Sequence, residues 1–237
     1  MAICQVRFYC KTNILWELLK KKNEKSLIRE FLQIFKREID KKKKSKSRLS
    51  FVLTGGSSPI NLYKKLAKSN IDWSNIDLFW GDERFVSNKS KNSNFRMAND
   101  LLIKKVKINR RNLFYINTKR KDINRSSLEY RNKIKNYFKN KKISFDICLL
   151  GMGNDGHVAS IFPNTNILKK KSIVSPVNRG DFKRITIGLK VINNSKKIFL
   201  WLSKKSKTSI FKKLQLKGKK IPVNNLNKKK LYCFLIN

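Results

Sequence analysis

Residues 145–163 read Phe-Asp-Ile-Cys-Leu-Leu-Gly-Met-Gly-Asn-Asp-Gly-His-Val-Ala-Ser-Ile-Phe-Pro, and this stretch decides how the chain folds. Its first six residues form a short, almost continuous apolar run, the strongest buried-strand signal in the sequence. The run breaks abruptly into a polar turn carrying Gly151, Gly153 and Gly156, and that turn delivers His157, the only histidine among 237 residues. In open α/β sheets, ligands bind just outside the C-terminal ends of the strands.

The same sequence of events occurs twice upstream. The apolar segment 49–54 leads into Thr54-Gly55-Gly56-Ser57-Ser58-Pro59, followed by a helical pattern over 60–67 with Pro59 where a first turn tolerates it. The apolar segment 76–80 ends at Gly81-Asp82-Glu83-Arg84. Further strands are expected at 5–10, 185–188, 198–202 and 232–236. Helices are expected at 94–105 (capped by Ser93 or Asn94), 126–139 and 208–214. A long helix is expected over 13–44, with Ile14, Leu15, Leu18 and Leu19 as one stripe and Leu27, Phe31, Ile34, Phe35 and Ile39 as another. Strands alternating with helices imply an α/β fold, a mainly parallel sheet with helices on both faces. No Gly/Pro/Ser-rich linker or internal repeat divides the chain, so residues 1–237 are expected to form a single domain.

Composition sets boundaries. Lys and Arg total 57 against 15 Asp and Glu, a net charge of +42. Such a charge points first to nucleic acid. The lysines, however, are dispersed through helix tails and loops, at 20–22, 41–44, 104–107, 169–171, 204–207, 217–220 and 228–230, rather than gathered on one stripe. With abundant Asn and Ile they read as a compositional bias, compatible with weak non-specific nucleic-acid binding and with steering of an anionic substrate. No apolar run approaches the roughly 20 residues a membrane span needs. Residues 1–13 hold no apolar signal core. Cys4, Cys10, Cys148 and Cys233 form neither a disulfide framework nor a C-x-x-C pair, so no structural zinc is expected and a reduced, cytoplasmic protein is.

The three motifs differ in what they imply alone. Two glycines between a strand and a helix let backbone N–H groups and the helix N-terminus meet an anion, with Ser57 and Ser58 adding hydroxyls; a tight serine-capped turn is the plainer alternative. The spacing is neither a P-loop nor G-x-G-x-x-G, so no dinucleotide is called for. Arg84 suits bidentate capture of a phosphate or carboxylate, and Asp82 suits a sugar hydroxyl or an orienting role; a surface ion pair is the alternative. His157 suits general acid–base work, with Asp155 or Asp82 fixing its tautomer. There is no Gly-x-Ser-x-Gly elbow, which leaves water as the attacking group.

Taken in order, Thr54–Pro59, Asp82-Glu83-Arg84, Ser93-Asn94, the stretch 145–163 and Arg184-Ile185-Thr186 resemble the 6-phosphogluconolactonases of the oxidative pentose phosphate pathway. The resemblance spans 49 to about 202, and more loosely the whole chain. It implies a Rossmann-like α/β fold and metal- and cofactor-free hydrolysis of 6-phospho-D-glucono-1,5-lactone, with His157 as the base; a monomer is expected. Asp82 and Asp155 are the further catalytic candidates, and the resemblance implies Gly55, Gly56, Ser57, Ser58, Arg84 and Lys207 as substrate-binding, with Arg184 a further candidate. Ser58 stands where the family usually has Thr, Thr54 where it often has Ser, and Lys204 where a Gly is common. Two alternatives are an amino-sugar-phosphate deaminase or isomerase of the same superfamily, which usually reads Asp-Glu-Tyr and Ala-Phe-Asn-Glu-Pro at these motifs, and a basic nucleic-acid-binding protein on this scaffold.

Overall fold

The computed structural model describes residues 6–7, 17–215 and 218–236. In chain order the elements are β1 (Val6–Arg7), β2 (Glu17–Lys21), α1 (Glu24–Lys44), β3 (Leu49–Leu53), α2 (Ile60–Ala67), β4 (Ile76–Trp80), β5 (Asp82–Arg84), α3 (Asn94–Leu101) and β6 (Leu113–Phe114). They continue with α4 (Ile123–Tyr137), β7 (Ile147–Leu150), β8 (Val174–Arg179), β9 (Phe182–Ile187), α5 (Leu189–Asn194), β10 (Lys197–Leu202), α6 (Lys205–Gln215) and β11 (Leu231–Ile236). The main sheet has the order β1-β2-β11-β10-β7-β3-β4-β6. All its neighbours are parallel except the β1–β2 pair. A second sheet, β5-β9-β8, is antiparallel.

Aromatic side chains fill both faces of the parallel sheet. α1 lays Phe31 and Phe35 against Phe51, Phe31 also meeting Phe199, Trp201 and Phe234. On the opposite face, set by the one-residue alternation between Phe51 and Val52 and the pairing of Val52 with Phe79, Phe79 meets Phe114, Tyr137 and Phe145. Strands β3, β4 and β7 are buried along their whole length, as their apolar runs imply. Among the described residues no helix is long and apolar enough to cross a membrane.

Two expectations need correction, and a third is described only in part. The helix expected from residue 13 begins at Glu24, where the Asn23 side chain accepts from the Ser26 N–H at 2.9 Å and Glu24 occupies the positive end of the helix. Leu18 and Leu19 lie instead in β2, which pairs with β11 from Glu17↔Tyr232 to Lys21↔Ile236; Ile14 and Leu15 lie outside the described residues. A long-range partner strand overrides the local helical spacing. Of the strand expected at 5–10, Val6–Arg7 is a strand and the rest lies outside the described residues. The segment 185–188 falls largely within β9, in the small antiparallel sheet rather than the parallel one, because β5 and β8 flank it.

Candidate active site

Strand order reverses beside β3. The chain runs from β3 to β4 and β6 on one side, while β7, β10 and β11 lie on the other. The loops leaving β3 and β7 therefore diverge and open a crevice between them, the usual ligand position in such sheets. These two loops are the two glycine-rich motifs.

The β3 loop is fixed from behind. The buried Tyr63 hydroxyl of α2 donates to the Thr54 carbonyl at 2.7 Å and accepts from the Thr54 N–H at 3.0 Å. Burial raises the Tyr63 phenol above its ordinary range, so it stays protonated and keeps that role. The Thr54 hydroxyl accepts from the Gly151 N–H at 3.1 Å, tying one loop to the other. Trp201 Nε1 and Ser203 Oγ donate to the Ser58 carbonyl at 3.1 and 3.3 Å. A Cβ on Gly55 would sit 2.1 Å from Asn94 Oδ1, so a side chain there would displace the Asn94 amide. α2 follows with Pro59 at its N-cap, no side-chain cap and no acidic residue in its first turn. Its N-terminal N–H groups are thereby left to a ligand.

The β7 loop builds the histidine site. Gly153 N–H donates to the His157 carbonyl at 3.0 Å, and a Cβ on Gly153 would fall 2.1 Å from His157 Nδ1. Asp155 Oδ1 lies 2.6 Å from Nδ1 and also accepts from the His157 backbone N–H at 3.2 Å. Arg179 Nη2 stands 3.6 Å from the other Asp155 oxygen. Burial pushes the Asp155 carboxyl upward, but the His157 hydrogen bonds and the Arg179 charge hold it at about 2. As a carboxylate, Asp155 can only accept, so the Nδ1–H donates to it and keeps its proton. Among the described residues Nε2 has no hydrogen-bond partner. The Phe162 ring packs on the imidazole at 4.5 Å between centroids.

The third wall comes from the small sheet. The chain passes from β4 through Gly81 directly into β5, and β5 pairs with β9 so that Asp82 faces Thr186 and Arg84 faces Arg184. Like charges directly opposite one another destabilise a strand pair. Here Arg84 donates to the Asn92 carbonyl at 2.9 Å, Arg184 is forked onto Asp181, and both guanidiniums lie 5.7 Å from the Phe182 ring centre. Asp82 accepts from Ser160 Oγ at 2.6 Å and from Asn94 Nδ2 at 3.3 Å. Burial raises the Asp82 carboxyl above its ordinary value, against the pull of Ser160, His157 and the two arginines. Lys207 of α6 donates to the Met152 carbonyl at 2.9 Å and to Asn154 Oδ1 at 2.6 Å, and burial lowers its ammonium below the usual range.

Together these walls enclose a cleft of about 330 Å3, within the range of small-ligand sites. Gly55, Gly56, Ser57, Ser58, Asp82, Arg84, His157, Arg184 and Lys207 all line it. Asp155 stands behind the imidazole, on a wider adjoining cavity of about 640 Å3. Asp155 rather than Asp82 is the carboxylate on Nδ1. Asn94 and Ser160 also line the cleft, and Glu83 supports it from beneath. Glu83 is 1% exposed and accepts from the N–H groups of Arg84, Asn94 and Phe95 and from Ser93 Oγ; burial pushes its carboxyl up to about 7. It caps α3 and so presents Asn94 to the cleft. A Ser-Asn pair opening a helix after an acidic motif was the available signal for these residues.

A Rossmann-like α/β protein is defined here by a switch-point crevice that gathers an open helix N-terminus, clustered cations and a carboxylate-held imidazole. Residues 22–233 match the family of glucosamine-6-phosphate isomerases/6-phosphogluconolactonase, and the chain belongs to that family. A 6-phosphogluconolactonase of Thermotoga maritima is 33% identical over 172 residues, covering 72% of this chain and 76% of the relative. One from Nostoc sp. is 32% identical over 175 residues, covering 72% and 73%. The crystal structure of the Thermotoga maritima 6-phosphogluconolactonase superposes with a TM-score of 0.82 at 28% identity, over 93% of this chain and all of that one. A monomeric glucosamine-6-phosphate deaminase superposes with a TM-score of 0.79 at 22% identity, over 92% of this chain and 96% of that one. Fold alone therefore does not separate the two chemistries, and the site must.

Proposed function

We propose that this protein hydrolyses 6-phospho-D-glucono-1,5-lactone to 6-phospho-D-gluconate, a step of the oxidative pentose phosphate pathway, with His157 as general base. The observation that carries the reading is the 2.6 Å contact between His157 Nδ1 and Asp155, which leaves Nε2 as the proton acceptor on a cation-lined cleft. The curated 6-phosphogluconolactonases above 30% identity support the same activity.

The substrate's phosphate is held by the Gly55–Ser58 backbone at the start of α2, with Arg84, Arg184 and Lys207 supplying positive charge. His157 Nε2 removes a proton from water as the oxygen adds to the lactone carbonyl carbon. Asp155 holds the imidazole in the required tautomer and stabilises the imidazolium that forms. Collapse of the tetrahedral adduct breaks the bond between the carbonyl carbon and the ring oxygen. The imidazolium returns its proton to that oxygen, giving the free hydroxyl and an acid that ionises in water. Asp82, held by Ser160 and Asn94, is placed to accept from a substrate hydroxyl.

An amino-sugar deamination needs a further carboxylate to move protons along an opened chain. Arg84 and the segment Ala159-Ser160-Ile161-Phe162-Pro163 stand where that branch reads Tyr and Asn-Glu-Pro. Two assays on one preparation separate the readings: opening of lactone generated in place, measured above its spontaneous rate, and ammonia release from glucosamine 6-phosphate. Accelerated opening without ammonia is expected. Ammonia release without accelerated opening overturns the proposal.

A further inference from the structure

We propose that Asp181 is a built-in competitor for the cleft's anion site, an internal carboxylate that occupies Arg184 until a substrate anion displaces it. This rests on the reading of the cleft as a sugar-phosphate site.

Arg184 lines both the cleft and the adjoining cavity, with its side chain only 10% exposed. Its two terminal nitrogens already donate to the two Asp181 oxygens, Nη1 at 2.8 Å and Nη2 at 2.7 Å. That parallel fork is the geometry in which a guanidinium takes a phosphate. Arg84, Arg179 and Lys207 lie around the same two cavities. Without an anion these cations repel one another, and Asp181 supplies the missing negative charge. The Arg184 hydrogen bonds hold its carboxyl below the ordinary range, so it is anionic throughout the neutral region.

The two partners are held unequally. Arg184 is fixed by its place in β9 and by the rings of Phe162 and Phe182, at 5.4 and 5.7 Å. Asp181 sits at the tip of the β8–β9 hairpin, in the two-residue turn Gly180-Asp181 closed by the Arg179↔Phe182 pair, and its side chain is 57% exposed. A Cβ on Gly180 meets nothing within 4 Å, so the tip is not packed against the body. Besides Arg184, the Asp181 carboxylate accepts from the N–H of its neighbour Phe182 at 2.9 Å, a contact made within the turn itself, so it can leave the guanidinium for water while Arg184 stays. A phosphate dianion brings more charge to the cation cluster than one carboxylate does, and once bound it repels that carboxylate. Both effects favour exchange.

Had Asp181 served to orient Arg184 for the substrate, removing its charge would weaken binding; competition predicts the opposite sign. In Asp181→Asn the KM for the lactone and the Kd for inorganic phosphate, by calorimetry, are expected to fall about three- to tenfold, with kcat changing less than KM. In an Arg184→Met background the same substitution is expected to be silent. A rise or no change in the phosphate Kd of Asp181→Asn, with its melting temperature intact, overturns the proposal. Asp181→Ala gives the same test without an amide in place of the carboxylate. The phosphate arm is independent of turnover, so a protein that fails to open the lactone loses the reaction assignment while the exchange at Arg184 is still decided.

Discussion

The two ends of the parallel sheet handle charge in opposite ways. At the N-terminal ends of the strands, Asp146 (4% exposed) meets Lys42 at 2.8 Å and Lys196 at 2.9 Å, and its other oxygen accepts from the Ser50 N–H and hydroxyl at 2.9 Å each. Asp77 (2% exposed) takes three hydrogen bonds from Arg48, between 2.8 and 2.9 Å, and one from Tyr137 at 2.9 Å. These carboxylates are closed off by partners on neighbouring elements. At the C-terminal ends, cations outnumber the carboxylates they can pair with, Nε2 of His157 carries no hydrogen bond among the described residues, and the N-terminus of α2 has no side-chain cap. At the closed end, buried carboxylates are matched by cations and join strands to helices; at the open end the charged side chains also have partners, but positive charge is in surplus, which favours an anion. The same residue types thus serve stability at one end and line a positively charged cleft at the other, and the balance of charge tells them apart.

Substitutions at the two ends should separate cleanly. The largest effect is expected at the open end: His157→Asn lowers kcat for lactone opening about 10³-fold, roughly 4 kcal/mol, while the melting temperature and product affinity stay near wild type. At the closed end, Asp146→Ala is expected to cost about 3 kcal/mol in urea unfolding, because it leaves the largely buried Lys42 and the Ser50 N–H and hydroxyl without their acceptor, with the folded fraction still active. The sign with pH follows from the same site. Lys196 and Lys42 outweigh burial and hold the Asp146 carboxyl below its ordinary value. Its contribution is complete above the ordinary carboxylate range and is lost as pH falls through the depressed folded value. Asp146→Ala should therefore flatten the acid limb of the stability profile, and an unchanged limb would count against the closed-end account. A smaller effect belongs to the whole surface. With a net charge of +42, raising salt from about 0.05 to 0.5 M should raise the melting temperature by a few degrees through screening.

Much of this was legible in the sequence for local reasons. Helix α2 follows from its leucine spacing and Pro59, and strand β4 from its apolar run, because each carries its signal within a few residues. The three motifs after β3, β4 and β7 are each local, and the fold brings all three to one cleft. The rest depends on distant pairing. β2 is a strand because β11, over 200 residues later, lies beside it, whereas its leucines fit a helix equally well in isolation. β8, β5 and β9 form their own sheet, which is why Arg84 and Arg184, far apart in the chain, face each other. The choice between Asp155 and Asp82 as the partner of His157 was also invisible, since both stand at strand ends. It is settled by Ser160 and Asn94, which engage Asp82 elsewhere. Glu83 reads as part of an ion-pair motif, and only the start of α3 above it reveals a helix cap.

At the open end, His157 has Nδ1 given to Asp155 and Nε2 offered to the cleft. Long-range 1H–15N correlation NMR reads this directly, because the chain has a single histidine and the two ring nitrogens are told apart by their couplings to the ring C–H protons. In the wild type the neutral ring is expected to carry its proton on Nδ1, and Asp155→Asn is expected to abolish this preference and lower kcat roughly a hundredfold. A wild-type ring protonated mainly on Nε2, or an Asp155→Asn variant with unchanged tautomer and turnover, would contradict it.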